Sequence, residues 1–442
     1  MTDHATVAPV TPALKRALGP WDLTAIGVNQ VIGAAVFLMP ALVAAQVGSW
    51  STVAVLAVGG LSMLIALCFA EASSRVDATG GSYIYTRAAF GRFIGFEVGW
   101  MMWFTRVASW AGVAYGLTTY LARYWPVLLD GVGRGIFLTI VFSILTAINI
   151  RGIRQSAWVV NTLTVGKLLP LVIFVAGGLA YVEWSRVTPL APMPMAEMPA
   201  ALLYLIFAFG GYEVVPVPAG EARKPTRDVP FAMIMTISIV TVLTILVQIV
   251  AQGTLADVAA SKAPLADAAL LFLGGGGALL LTIGAAISTT GNNMGQSLSG
   301  SRSLFALAEQ GDLPSPLAWV HPSWRTPVVA IVVTSAVALT LALTGSFSTL
   351  ALASAVSRLL VYAGTAAAVL ALRRQGPAPF TIPGGPIVPL AALGICIALV
   401  AGATAAQFRI GGAALAIGAV LYLIATRSPA RGAREGGTSA RP

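Results

Sequence analysis

Runs of about 20 apolar residues, separated by short polar stretches, recur from one end of the chain to the other. A run of that length crosses a bilayer as an α-helix. The pattern predicts spans over 21–45, 51–74, 93–122, 135–150, 155–181, 199–219, 230–252, 270–305, 328–345, 348–372, 387–406 and 410–426. Turn signals divide them: Gly80-Gly81, Gly152, Pro189 to Pro194, Pro225, Pro314 to Pro316 and Pro383 to Pro386. The run ending near 305 is too long for one span and should leave the membrane before it ends. The ten-residue alternation of an outer-membrane barrel is missing. The expected class is therefore an all-α polytopic membrane protein of about twelve transmembrane helices. Residues 1–20 read as an N-terminal tail, and 427–442 as a disordered C-terminal one.

Composition narrows the class further. Of 442 residues, 57% are hydrophobic and 10% charged, against about 25% charged in soluble domains. A soluble enzyme is thereby excluded. The formal charge of +10 does not indicate nucleic-acid binding, because the excess lies in short loops between spans. With the N-terminus placed in the cytoplasm, eighteen Lys and Arg fall inside and five outside, and three (Arg106, Lys167, Arg358) lie within spans. That asymmetry predicts both termini inside and an inner or plasma membrane location. Cys68 and Cys396 both lie in apolar runs, which suggests neither a disulfide framework nor a metal site. The first apolar run is too long for a cleavable signal sequence.

Two spans carry glycine where a continuous helix would avoid it. One reads Gly27-Val28-Asn29-Gln30-Val31-Ile32-Gly33-Ala34-Ala35-Val36-Phe37, the other Ile206-Phe207-Ala208-Phe209-Gly210-Gly211-Tyr212-Glu213. A helix broken at membrane depth frees backbone groups, which is tolerable only beside a cavity or ligand. The N-terminus of a half-helix suits a carboxylate, and freed carbonyls suit an ammonium. Together they fit the two charged ends of an amino acid. The breaks come early in successive five-span blocks, a pairing that points to a transporter site. The alternative is that small residues simply let helices pack closely.

The sequence resembles the amino acid–polyamine–organocation (APC) superfamily of permeases. The resemblance rests on Ile32-Gly33-Ala34-Ala35-Val36-Phe37, Ala78-Thr79-Gly80-Gly81-Ser82-Tyr83 and Phe207-Ala208-Phe209-Gly210-Gly211-Tyr212-Glu213. It extends through Ala219 to Pro230 and through Phe305 to Pro327, in order along the chain. It implies a leucine-transporter-like core of two inverted five-helix repeats over 21–372, with helices 1 and 6 broken and two peripheral helices over 387–426. It implies alternating access, with substrate held by Val31, Ile32, Gly33, Ala34, Ala35, Phe207, Ala208, Phe209, Gly210 and Tyr212. The family's first break is commonly Gly-Ser-Gly. Here it is Gly33-Ala34-Ala35, which removes a hydroxyl from the carboxylate cradle.

Charged residues at depth are the other candidates. Lys167 lies about 18 Å along its helix from Gln155, and a buried ammonium is costly unless paired or neutralised. In sodium-independent relatives a lysine at this place stands in for a sodium ion between segments 1 and 8. Two readings remain for it: proton coupling, or structural bonding to carbonyls of broken segment 1. Glu213 follows the second break. The resemblance suggests proton-linked gating, and the plainer reading is a carboxylate bonded to nearby backbone. Arg106 and Arg358 have Glu97 and Glu213 as possible partners, with backbone carbonyls or substrate as alternatives. Asn292, Asn293, Gln296 and Met101 are further pathway candidates. Salt bridges among Glu71, Arg75 and Asp77, and among Glu221, Arg223, Lys224, Arg227 and Asp228, are candidate latches of an inner gate. Trp100, Trp103, Trp110 and Trp125 read as membrane-facing belt residues or as pathway walls, the former for most of them. The wall around the substrate side chain reads as apolar, from Phe37, Phe207, Phe209, Tyr212, Met101, Met102 and Trp103, with Asn292, Asn293 and Gln296 as possible polar points.

These features point to a secondary active transporter of amino acids, sodium-independent, coupled to protons or exchanging substrates. Neutral amino acids are favoured, because the deep cations outnumber the deep carboxylates. A cationic amino acid or polyamine carrier of the same fold is the alternative, and a transport-dead sensor the reading from another class. No cofactor or metal is expected, nor an enzyme's cluster of nucleophile and base. The expected partners are the small-molecule substrate, the bilayer and protons. ATP-driven pumping is disfavoured, since no Gly-x-x-x-x-Gly-Lys-[Ser/Thr] loop occurs.

Overall fold

The computed structural model describes residues 18–76, 80–152, 157–188, 192–217, 219 and 222–427. Among the described residues, each of the twelve predicted spans overlaps a helix. The helices are α1 (Pro20–Val31), α2 (Ala34–Val47), α3 (Ser51–Arg75), α4 (Ser82–Phe90), α5 (Arg92–Leu121), α6 (Gly131–Arg151), α7 (Ala157–Gly178) and α8 (Trp184–Val187). They continue as α9 (Met198–Phe209), α10 (Pro225–Thr254), α11 (Pro264–Glu309), α12 (Val328–Thr344), α13 (Phe347–Leu372), α14 (Ile387–Ala401) and α15 (Ala405–Arg427). The described residues contain no strand; Leu18 and Ala222 form one isolated parallel bridge. Seven described segments are long and apolar enough to cross a membrane, and three more are apolar but shorter. The chain is thus an all-helical polytopic membrane protein.

Local chemistry sets the helix ends. Proline occupies the first turn of α1, α9, α10 and α11, where its missing N–H costs nothing. Asp130 caps α6 by accepting from Val132 and Gly133, and Ser346 caps α13 by accepting from Thr349. The long eighth run is one helical element of 46 residues. It turns at Gly274, whose φ of +67° and ψ of −164° are non-helical and accessible mainly to glycine. It therefore begins before 270 and runs past 305, and the sequence pattern underestimated both ends.

α5 lies at the centre, packed against α11 and α13, while α10 packs along α3 and α1. The reading of the tryptophans needs correction. Trp100, Trp103 and Trp110 are buried, and Trp125 is exposed. Trp100 donates through Nε1 to the Ala414 carbonyl at 2.7 Å, which anchors α15 to α5. Gly418 permits this approach, since a Cβ there would lie 2.5 Å from the Trp100 ring. In a membrane, apolar residues suit lipid and protein interior alike, so hydropathy cannot tell the two faces apart.

At the face expected to be cytoplasmic, the Glu71 carboxylate is fully buried. It accepts from Arg75 at 2.8 and 3.0 Å, from Arg373 Nε at 2.8 Å and from the Ile382 N–H at 3.0 Å. It joins α3, α13 and the linker to α14. Asp77 and Glu221, which the latch reading also named, lie outside the described residues, as does the tail beyond Arg427. Asp228 accepts from the Lys224 N–H at 2.9 Å and so caps the start of α10. Removing one partner from a buried ion pair costs about 3–5 kcal/mol. Glu71→Gln should accordingly lower the melting temperature of the purified protein by several degrees. An unchanged melting temperature would show that the carboxylate does not hold the linker.

Candidate functional site

The first break separates α1 from α2 at Ile32 and Gly33. Both leave helical geometry, with ψ of 96° at Ile32 and φ, ψ of −122° and −150° at Gly33. The second lies at Gly210 and Gly211, between α9 and a short 3-10 turn over Tyr212–Val214. Gly211 has a φ of +133°, and a Cβ on it would stand 2.6 Å from the Gln30 carbonyl. The two breaks therefore touch.

The carbonyls released at the end of α1 are taken up by neighbouring side chains. The Lys167 ammonium donates to the Asn29 and Ile32 carbonyls, each at 2.9 Å, and to the Ser288 carbonyl at 3.5 Å. Ser288 Oγ donates to the Ile32 carbonyl at 3.0 Å, and Asn292 Nδ2 to the Gln30 carbonyl at 2.6 Å. α7 and α11 are thus tied to the broken end of α1. Asn292 also crowds Gly33, where a Cβ would meet its amide at 3.0 Å. The N–H groups opening α2, from Ala34 and Ala35, belong to a helix N-terminus with no side-chain cap.

Glu213, Arg106 and Arg358 form one buried cluster. Glu213 Oε1 accepts from Arg358 Nη1 at 2.9 Å and stands 3.1 Å from Arg106 Nη2. Its Oε2 accepts from Tyr362 Oη at 3.0 Å and from the Gly211 N–H at 2.8 Å. Arg358 Nη2 donates to Ser109 at 3.0 Å, and Arg106 Nη1 makes a long contact of 3.5 Å to Gln296 Oε1. Both arginines, whose partners the sequence left open, thereby share Glu213 rather than Glu97. Arg358 lies so close to the second break that a Cβ on Gly210 would fall 1.5 Å from Nη1.

A cavity of about 10 Å³ lies between the breaks, lined by Gln30, Val31, Ala35, Ser109, Val113, Phe207, Gly210, Asn292, Gln296 and Arg358. Val31, Ala35, Phe207, Gly210, Asn292, Gln296 and Arg358 were candidates from the sequence. Ile32, Gly33, Ala34, Ala208, Phe209 and Tyr212 are buried around it without lining it. Tyr212 instead stacks on Tyr362 at 5.4 Å. Met101 and Asn293 are also buried away from it, as is Phe37, which packs edge-on against Tyr120. Half of this lining is polar: Asn292 and Gln296 were expected as polar points, and Gln30, Ser109 and Arg358 add to them. Sequence reasoning missed Gln30, Ser109, Ser288 and Tyr362. Helical spacing could have found Ser109, one turn from Arg106 on α5.

A larger cavity of about 280 Å³ lies between α4, α5 and α11, with Tyr83, Met102, Ser299, Arg302 and Gln310 on its walls. Arg302 donates to Asn149 and, at 2.9 Å, to Ser301. No group of three His, Cys, Asp or Glu able to hold a metal occurs among the described residues.

The matches to known proteins agree with this architecture. The chain is 28% identical over 437 residues to the methylthioribose transporter of Bacillus subtilis (strain 168), covering 94% of each protein. It is 27% identical over 443 residues to the branched-chain amino acid permease of the same organism, again covering 94% of each. It is 30% identical over 417 residues to an uncharacterized transporter of Mycobacterium tuberculosis (strain ATCC 25618 / H37Rv), covering 92% of this chain and 91% of the relative. Residues 18–425 match the amino acid permease family. With two glycine-broken helices meeting around a small buried cavity and the family match running nearly end to end, the chain belongs to the amino acid permeases of the APC superfamily.

Proposed function

We propose that the protein is a sodium-independent secondary carrier of amino acids with uncharged side chains, working by alternating access in the cytoplasmic membrane with both termini inside. The observation that carries this reading is the position of Lys167. Its ammonium joins α7 to the carbonyls of the first break and to α11. A second cation there would meet a like charge at low dielectric. Proton coupling follows the same geometry. A protonated amine has three N–H groups for its three carbonyl contacts, and a neutral amine has two. Loss of the proton loosens the first break from α7 and α11.

Charge also argues against cationic side chains. Glu213 is engaged by two guanidinium groups, so a substrate ammonium or guanidinium would find the carboxylate beside the second break already taken, and a buried charge without a partner costs several kcal/mol. The substrates in the names of the two Bacillus relatives, a branched-chain amino acid and methylthioribose, carry no cationic side chain. Uptake of leucine, methionine and alanine into proteoliposomes tests the proposal. It should survive replacement of sodium by choline and resist competition by arginine and putrescine. Steep sodium dependence would overturn the role given to Lys167. Competition by arginine or putrescine alone would make Glu213 a side-chain ligand.

A further inference from the structure

The larger cavity, of about 280 Å³, begins one turn along α11 from the central one, toward the face expected to be cytoplasmic. Gln296 lines the small cavity and Ser299 the large one, three residues or about 4.5 Å apart. Arg302 lines the large cavity and has no carboxylate partner among the described residues. Its Nη1 is fixed, donating to Asn149 and, at 2.9 Å, to Ser301. Asn149 is held in turn, because its Nδ2 donates to Ser297 Oγ at 3.0 Å. Nε and Nη2 of Arg302 have no acceptor among the described residues, yet neither is closed off from the cavity. That edge presents two parallel N–H groups, the arrangement that takes a carboxylate in two hydrogen bonds. Glu309 also lines the cavity, but it stands seven residues, about 10 Å, along α11 and makes no ion pair with Arg302. Ser299 and Ser303 flank Arg302 on one face of α11. Their hydroxyls donate to the Gly295 carbonyl at 2.8 Å and the Ser299 carbonyl at 2.9 Å, which leaves their lone pairs to accept. Ile84, Met102, Val217 and Leu307 supply an apolar wall. Guanidinium edge, hydroxyl acceptors and apolar wall match the carboxylate, ammonium and side chain of one amino acid. The volume lies just under the range of about 300–1,000 Å³ that takes drug-sized ligands, as suits a smaller one.

We infer that this inner cavity is a second binding site for an amino acid with an apolar side chain, its carboxylate on the Nε–Nη2 edge of Arg302. The identity of the ligand rests on the carrier reading, while the site itself lies apart from the two helix breaks. One helical turn from the central cavity, it is where substrate pauses between leaving the breaks and entering the cytoplasm.

Equilibrium binding of labelled leucine to the purified full-length protein tests this. The wild type should bind a pair of leucines, and Arg302→Gln a single one. The same count in both proteins overturns the inference and leaves the carrier reading standing. No saturable leucine binding by the wild type overturns both. Arg302→Lys keeps the charge but not the two-pronged edge, and should weaken the second site by at least about tenfold; unchanged affinity overturns the place given to the carboxylate. Where the Arg302 variants fail to fold, Ala306→Phe decides. Ala306 lines the same cavity, and a phenyl ring there takes the space of the ligand's side chain while leaving Arg302 anchored to Asn149. That variant should also bind one leucine fewer, and full retention overturns the second site.

Discussion

Lys167→Ala should abolish concentrative uptake while leaving substrate exchange measurable. The substitution removes the donor for the Asn29, Ile32 and Ser288 carbonyls. Each buried acceptor left without a partner costs about 1–3 kcal/mol. Ser288 Oγ still donates to Ile32 and Asn292 to Gln30, so the first break keeps part of its support. The tie to α7 is lost. In a carrier whose two gates are biased by the protonation of this amine, the bias goes with it, and substrate equilibrates across the membrane. Dependence of uptake on external pH should vanish in the same variant. Lys167→Met keeps most of the volume and separates packing from charge; it should behave as Lys167→Ala does. Proteoliposome uptake with and without an imposed proton gradient measures both effects. A variant that accumulates substrate with the wild-type pH profile would reduce Lys167 to a structural bond.

How far the sequence led to these residues depends on what each one needs from the fold. Helix positions were legible because membrane crossing imposes a length on apolar runs. The breaks were legible because Gly33, Gly210 and Gly211 stand where continuous helix would disfavour them. The turn within α11 was not, since Gly274 is flanked by apolar residues and further glycines that carry the hydropathic run straight through it. Lys167 stood out because a lone ammonium deep in an apolar helix needs partners. Which carbonyls it reaches depends on the packing of α1, α7 and α11, and hydropathy does not encode that. The grouping of Arg106 and Arg358 on Glu213 was out of reach for the same reason: Arg358 and Glu213 are 145 residues apart, and their meeting is set by how α13 lies against α5 and α9. Gln30 and Ser109 were missed in the cavity lining because a hydroxyl or amide bonded to its own helix looks the same in sequence as one turned to a cavity.

Contact between the two breaks leads to the second large expected effect, at Gly211. Alanine there meets two separate obstacles. A φ of +133° lies where residues with a Cβ are strained by about 1–3 kcal/mol. The new Cβ would also stand 2.6 Å from both the carbon and the oxygen of the Gln30 carbonyl and 2.8 Å from the Val31 nitrogen. These are backbone atoms of the opposite break, so no side-chain rotation relieves the clash. Either the breaks separate or the Gly211 backbone turns, and turning it withdraws the N–H that Glu213 Oε2 accepts at 2.8 Å. Both outcomes disturb the cavity, and transport should fall by at least about tenfold, the equivalent of 1.4 kcal/mol. Membrane insertion depends on apolar length rather than on this contact, so surface expression should stay near wild type. Gly60→Ala is the control: Gly60 lies within α3, and a Cβ there meets nothing within 4 Å. That change should leave uptake intact and add a few tenths to about 1 kcal/mol of helix stability. Normal uptake by Gly211→Ala at normal expression would mean that the two breaks need not touch for the carrier to work.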